Sequence, residues 1–191
     1  MNNSASKMDT TFMYFAYGSN LLRERILVRN SSAIFKSIGL VDNCRLAFDL
    51  NRPGSPWKGA GATIEECPGQ QVWGCVWTLR QEDIAKLDEQ EGVSRGIYNP
   101  ISISVQTPAG EQLACRSYQL AIRGSADARP SPQYKSVIQR GAKQNGLPIE
   151  YQQQLAAIED NGYEGKLEIM VKIEELIEKY KGKQELSGTE P

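Results

Sequence analysis

The sequence predicts an α+β fold, a small mixed β-barrel with helices flanking it. Three observations predict it. Short apolar runs with strand character, bounded by Gly, Pro and Asn, recur between residues 12 and 120, and helical patterns dominate after them. No repeat and no long linker divides the chain of 191 residues, a length that suits one domain with tails. About six short strands joined mostly by turns close best into a barrel that the helices cover.

The elements follow in order. Residues 1–11, "MNNSASKMDTT", lack an apolar stretch and read as a disordered leader. "FMYFAY" (12–17) suits a buried strand, and "NLLRERILVR" (20–29) a short helix that stops at Asn30. "CRLAFDL" (44–50) alternates as a strand, and "NRPGSPWKGAG" (51–61) is a Pro/Gly-rich loop. "GATIEE" (61–66) and "QVWGCVWTL" (71–79) read as two strands joined by a "CPGQ" turn. "QEDIAKLDEQEG" (81–92) is a helix with Gly92 as its C′ residue. Residues 98–120 form a hairpin turning at Pro108-Ala109-Gly110. Ser131 caps a helix with Pro132 at its first position, and that helix stops near Gly146. A further helix begins at "LPIEYQQQLAAIE". The domain so defined spans 12–165. It is followed by an amphipathic helix over 166–181, with Leu167, Ile169, Met170, Ile173, Leu176, Ile177 and Tyr180 mostly on one face, and a disordered tail over 182–191.

Composition narrows the chemistry. A net charge of -1 argues against a nucleic-acid binder with a basic face, and no apolar run approaches membrane-spanning length. Cys44, Cys67, Cys75 and Cys115 form no C-x-x-C pair and read as reduced, buried thiols of a cytosolic protein. The chain has no histidine, which removes Ser-His-Asp triads, Cys-His dyads and His-ligated zinc. Acid–base chemistry near neutral pH then falls to a carboxyl, Lys, Cys or Tyr with a shifted pKa.

Two stretches are candidate sites. The strand break at Gly18-Ser19-Asn20 would leave the first N–H groups of a helix unpaired beside a residue with no side chain, a place for a carboxylate, although many helices start this way with nothing bound. "LDEQEG" (87–92) crowds Asp88, Glu89 and Glu91 at a helix C-terminus, where the dipole disfavours carboxylates. Either this is a solvated helix end, or one carboxyl has a raised pKa suited to proton transfer, and Glu91 beside Gly92 is the choice.

With those residues in view, the sequence resembles the γ-glutamylcyclotransferases. "YFAYGSNL" (14–21) is similar to the family's signature loop, and "LDEQEGV" (87–93) followed by Tyr98 to the segment with its catalytic Glu. "CRSY" (115–118), "PSPQYK" (130–135) and "GAKQNGLP" (141–148) follow in order and resemble the branch that acts on γ-glutamyl-amino acids. The resemblance covers residues 12 to 165 and implies a γ-glutamylcyclotransferase-like barrel. It further implies cytosolic release of 5-oxoproline and a free amino acid, no cofactor and no metal. A homodimer is implied as well. It implies Glu91 as general acid and base, Tyr14, Phe15, Ala16, Tyr17, Gly18 and Ser19 as the loop holding the γ-glutamyl part, and Tyr134 as a substrate contact. Asn20, Tyr98 and Tyr118 are supporting candidates, although a strand Tyr such as Tyr118 is more often a core aromatic. Rival expectations are a cyclotransferase acting on γ-glutamylamines or glutathione, a small-ligand binding module that keeps the loop without turnover, and an interaction protein using the 166–180 helix.

Overall fold

The computed structural model describes residues 10–50 and 54–187, with side chains through residue 180. Five strands close a barrel in the order β1-β3-β2-β4-β5: β1 (Thr11–Ala16), β2 (Ile34–Asp49), β3 (Gly61–Arg80), β4 (Tyr98–Gln106) and β5 (Gln112–Leu120). The neighbours pair antiparallel except at the closure, where β1 meets β5 in parallel at Tyr14 and Arg116. That one parallel contact makes the barrel mixed, as the sequence predicts. Phe15, Val72, Val76, Val105 and Cys115 are buried in the barrel, which is where strands alternating apolar residues must put them.

The expected pair of strands at 61–66 and 71–79 is a single strand. Residues 61–66 and 71–78 both run antiparallel to β2, with a register shift between Asp42 and Cys44. "CPGQ" is therefore a bulge and not a reversal. Gly69 takes a left-handed φ of 80° and donates its N–H to Asn43 Oδ1 at 3.1 Å, while Asn43 itself sits at φ 56°. Pro-Gly supplies a turn and a bulge with the same local chemistry, and the partner strand decides between them. β2 also starts ten residues before the expected 44, because its outer end pairs with Val72 to Thr78 of β3.

Among the described residues five α-helices flank the barrel: α1 (Arg23–Leu27), α2 (Ile84–Glu91), α3 (Pro132–Gln144), α4 (Ile149–Ala157) and α5 (Glu168–Ser187). Ser131 Oγ accepts the Tyr134 N–H at 3.2 Å and caps α3 behind Pro132, and Gly92 ends α2 at φ 70°. The helix expected over 20–29 is broken. A single 3₁₀ turn, Ser19–Leu21, is followed by extended Leu22 and then the short α1. α5 continues beyond the expected end at 181 to Ser187; "KGKQELS" holds no stop, and a glycine costs a helix only about 1 kcal/mol against alanine. Residues 1–9 of the expected leader and 188–191 of the expected tail lie outside the described residues, whereas 182–187, expected as tail, belong to α5.

α3 sets the position of the 3₁₀ turn. Asn145 Nδ2 donates to the Leu21 carbonyl at 2.8 Å, and Arg23 N–H donates to Gln144 Oε1 at 2.9 Å. Gly141 faces the same segment so closely that a Cβ there would stand 2.4 Å from the Leu22 nitrogen.

Candidate active site

The three carboxylates of "LDEQEG" meet three environments. Asp88 pairs with Arg116 of β5, whose Nη2 lies 2.6 and 2.8 Å from its two oxygens, and it also accepts a short hydrogen bond from the Tyr118 hydroxyl. The last turn of α2 holds no basic residue, and the base for this helix end arrives from β5. Glu89 is exposed. Glu91 turns inward at the last position of α2, and the left-handed Gly92 lets the chain leave there without carrying the carboxyl outward.

Two adjoining cavities share Glu91. The smaller, about 30 Å³, is lined by the Tyr17–Asn20 segment with Tyr14, Ala62, Tyr98, Tyr118 and Tyr134. The larger, about 100 Å³, also has Ser19, Tyr98 and Tyr134 in its wall and adds Arg25, Ser55, Trp57, Gln90 and Ile97. Glu91 Oε1 accepts from Asn20 Nδ2 at 3.3 Å and from Gln90 Nε2 at 3.2 Å. Asn20 Nδ2 also donates to the Tyr14 hydroxyl at 3.0 Å, while its Oδ1 accepts from Gln90 Nε2 at 3.2 Å. Asn30 fixes Gln90 in turn, donating to Gln90 Oε1 at 3.2 Å. Burial raises the Glu91 pKa; the nearby Arg25 charge and the two amide donors oppose it.

The tyrosines are held rather than free. Tyr134 accepts the Ala62 N–H at 3.2 Å, and its ring lies 4.7 Å from that of Trp57. Its pKa is pushed up to about 12 by burial. Tyr98 donates to the Ala62 carbonyl at 2.8 Å, and Tyr17 donates to the Tyr118 carbonyl. Burial raises the pKa of Tyr14, Tyr17, Tyr98 and Tyr118, so each stays a neutral hydroxyl at neutral pH.

Of the residues the sequence singles out, Glu91, Tyr14, Tyr17, Gly18, Ser19, Asn20, Tyr98, Tyr118 and Tyr134 come together around the smaller cavity. Phe15 and Ala16 do not line it. They are buried in the barrel wall, paired with Val76 and Cys75, and the Phe15 carbonyl accepts from Ser117 Oγ at 2.9 Å. Neither Ser19 nor Asn20 caps a helix by its side chain. The turn that replaces the expected helix is too short for a full dipole, and the Asn20 amide goes to Glu91 instead.

Comparison with known proteins gives the family. The AIG2-like family profile matches residues 71–155. A bovine protein named γ-glutamylcyclotransferase is 47% identical over 91% of this chain and 91% of its own. This chain belongs to the γ-glutamylcyclotransferase family. A mouse γ-glutamylcyclotransferase is 48% identical over 94% of each chain. A solved γ-glutamyl cyclotransferase structure superposes with a TM-score of 0.83 at 45% identity, covering 89% of this chain and 99% of that one. The γ-glutamylcyclotransferase fold is thus the barrel described above. Within it, Arg25, Gln90 and Trp57 are cavity residues that sequence reasoning missed. Gln90 could have been found from its place beside Glu91. Arg25 and Trp57 carry no local signal, because one reads as a solvated helix cation and the other as a loop aromatic.

Proposed function

We propose that this protein releases 5-oxoproline and a free amino acid from γ-glutamyl-amino acids, with Glu91 as general acid and base. The observation that carries the proposal is the Glu91 carboxyl, shared by two cavities, oriented by Asn20 and Gln90 and raised in pKa by burial.

The substrate's α-amine is tethered to the γ-carbonyl it attacks. Closing a five-membered ring therefore needs a fixed folded conformer and one proton relay. Orientation of this kind is worth an effective molarity of up to about 10⁵–10⁸ M. The attacking nitrogen forms a bond to the γ-carbon and loses a proton to Glu91. The γ-carbon to nitrogen bond of the departing amino acid then breaks as Glu91 returns that proton to the leaving nitrogen. A carboxyl whose pKa is raised by burial serves both halves, which a histidine-free chain needs. The Tyr14–Ser19 segment holds the γ-glutamyl group in the smaller cavity, where the Tyr14 and Tyr134 hydroxyls accept protein donors and keep their own hydrogens to give. The free thiols of Cys44, Cys67, Cys75 and Cys115 support a cytosolic setting, and a homodimer is the oligomeric state the proposal carries.

The test is 5-oxoproline release from γ-glutamyl-alanine by wild type and Glu91→Gln. The amide keeps the side chain's shape and one acceptor, so folding persists while turnover falls by about 10²–10⁴. A wild-type rate in the variant overturns the assignment of Glu91.

A further inference from the structure

Arg25 is placed oddly for a surface helix cation. It is 7% exposed, lines the larger cavity, and makes no ion pair within 4 Å among the described residues. Its Nε and Nη1 are buried without a hydrogen-bond partner among the described residues. The Trp57 ring lies 5.7 Å from its guanidinium carbon and gives it one face to rest on. A guanidinium withdrawn from water is costly unless an anion meets it, and a carboxylate matches its fork.

We propose that Arg25 binds the α-carboxylate of the amino acid that leaves, and so selects γ-glutamyl-amino acids over γ-glutamylamines. This rests on the cyclotransferase reading of Glu91. Glu91 belongs to both cavities, so the attacking and leaving nitrogens meet at their junction. The γ-glutamyl group takes the smaller side, whose wall contains no cation among the described residues. The departing amino acid then occupies the larger side, where Arg25, Ser55 and Trp57 stand. A γ-glutamylamine puts nothing charged there and leaves the guanidinium unpaired. The other carboxylates within its reach are Glu91, whose charge already acts on it from beyond ion-pair distance, and that of the γ-glutamyl group itself, which both substrate classes carry.

The experiment compares γ-glutamyl-alanine with γ-glutamyl-ethylamine, its counterpart lacking only the leaving group's carboxylate. Wild type is expected to favour the first by about ten- to hundredfold in kcat/KM, the range for a hydrogen-bonded charge. Arg25→Gln is expected to collapse that ratio toward one, chiefly through KM, and Arg25→Lys to restore part of it. An equal fall for both substrates assigns Arg25 to the γ-glutamyl carboxylate or to the support of Glu91, and overturns the proposal. So does a wild type without preference, a result that needs no variant to fold. If wild type converts neither substrate, the cyclotransferase reading has failed. Calorimetric binding of the same two compounds to wild type then decides the carboxylate question separately, equal affinities overturning it.

Discussion

Substituting Gly141→Ala tests whether α3 fixes the turn that holds Glu91. An ideal Cβ at Gly141 would lie 2.4 Å from the Leu22 nitrogen, 2.5 Å from the Leu21 carbonyl carbon and 2.6 Å from Leu21 Cβ. Two of these are backbone atoms, so no side-chain rotation relieves the contact. Reaching ordinary van der Waals separation takes a movement of about 1 Å. Alanine gains about 1 kcal/mol over glycine inside a helix. Forcing a methyl into a packed interface costs about 1–3 kcal/mol, and more where backbone must give. A net loss of about 2 kcal/mol is expected, lowering Tm by about 4–8 °C for a chain of this length. The moving segment adjoins Asn20, and a displacement of about 1 Å at a positioning group costs up to about 10²-fold in rate. Calorimetry and steady-state kcat/KM for γ-glutamyl-alanine on the same preparation check both numbers. A variant as stable as wild type and fully active would refute the view that this contact aligns the site.

Two further outcomes are expected. Asn20→Ala removes the amide that donates to both Tyr14 and Glu91, so ionised Glu91 loses a stabilising donor and its pKa rises further. The acid limb of the kcat/KM profile should move to higher pH, with kcat down about tenfold, and an unmoved limb would count against the contact. At the end of β2, burial disfavours ionised Asp49, but the N–H groups of Gly124, Ser125 and Leu50 outweigh it and hold its pKa at about 2. A lowered carboxyl pKa stabilises the fold above the unfolded value, near 3.8, and that contribution is lost as pH falls through about 2. Asp49→Asn should therefore have a lower urea midpoint than wild type at pH 7, with the gap narrowing at pH 3; a gap that does not depend on pH would show that Asp49 acts by shape alone.

What could be read in the sequence was what local chemistry decides. Ser131-Pro132 starts a helix and Gly92 ends one wherever they occur, and Gly92 pointed to the carboxyl beside it. The 98–120 hairpin was legible for the same reason. What could not be read depends on a distant partner. The Cys67–Gln70 bulge is decided by Asn43 across the sheet, and the charge on Asp88 is answered by Arg116 on a strand 28 residues further on. Nothing beside Arg25 in sequence announces Trp57, whose ring lies 5.7 Å from its guanidinium carbon. Phe15 sits inside the signature loop, yet the barrel claims its side chain, because strand alternation turns it to the face opposite Tyr14; Ala16, on the face of Tyr14, is buried at its pairing with Cys75.

Asn20 leaves one asymmetry with a chemical reach of its own. Its amide is gripped from both ends, giving hydrogens to Tyr14 and Glu91 and taking one from Gln90, so it cannot rotate by half a turn without breaking all three bonds. The amide donors of Asn20 and Gln90 therefore address the same oxygen of Glu91, Oε1. That makes the two oxygens inequivalent. Oε1 is the anchored acceptor, and Oε2, the more basic of the two, is the atom on which a shuttled proton would ride.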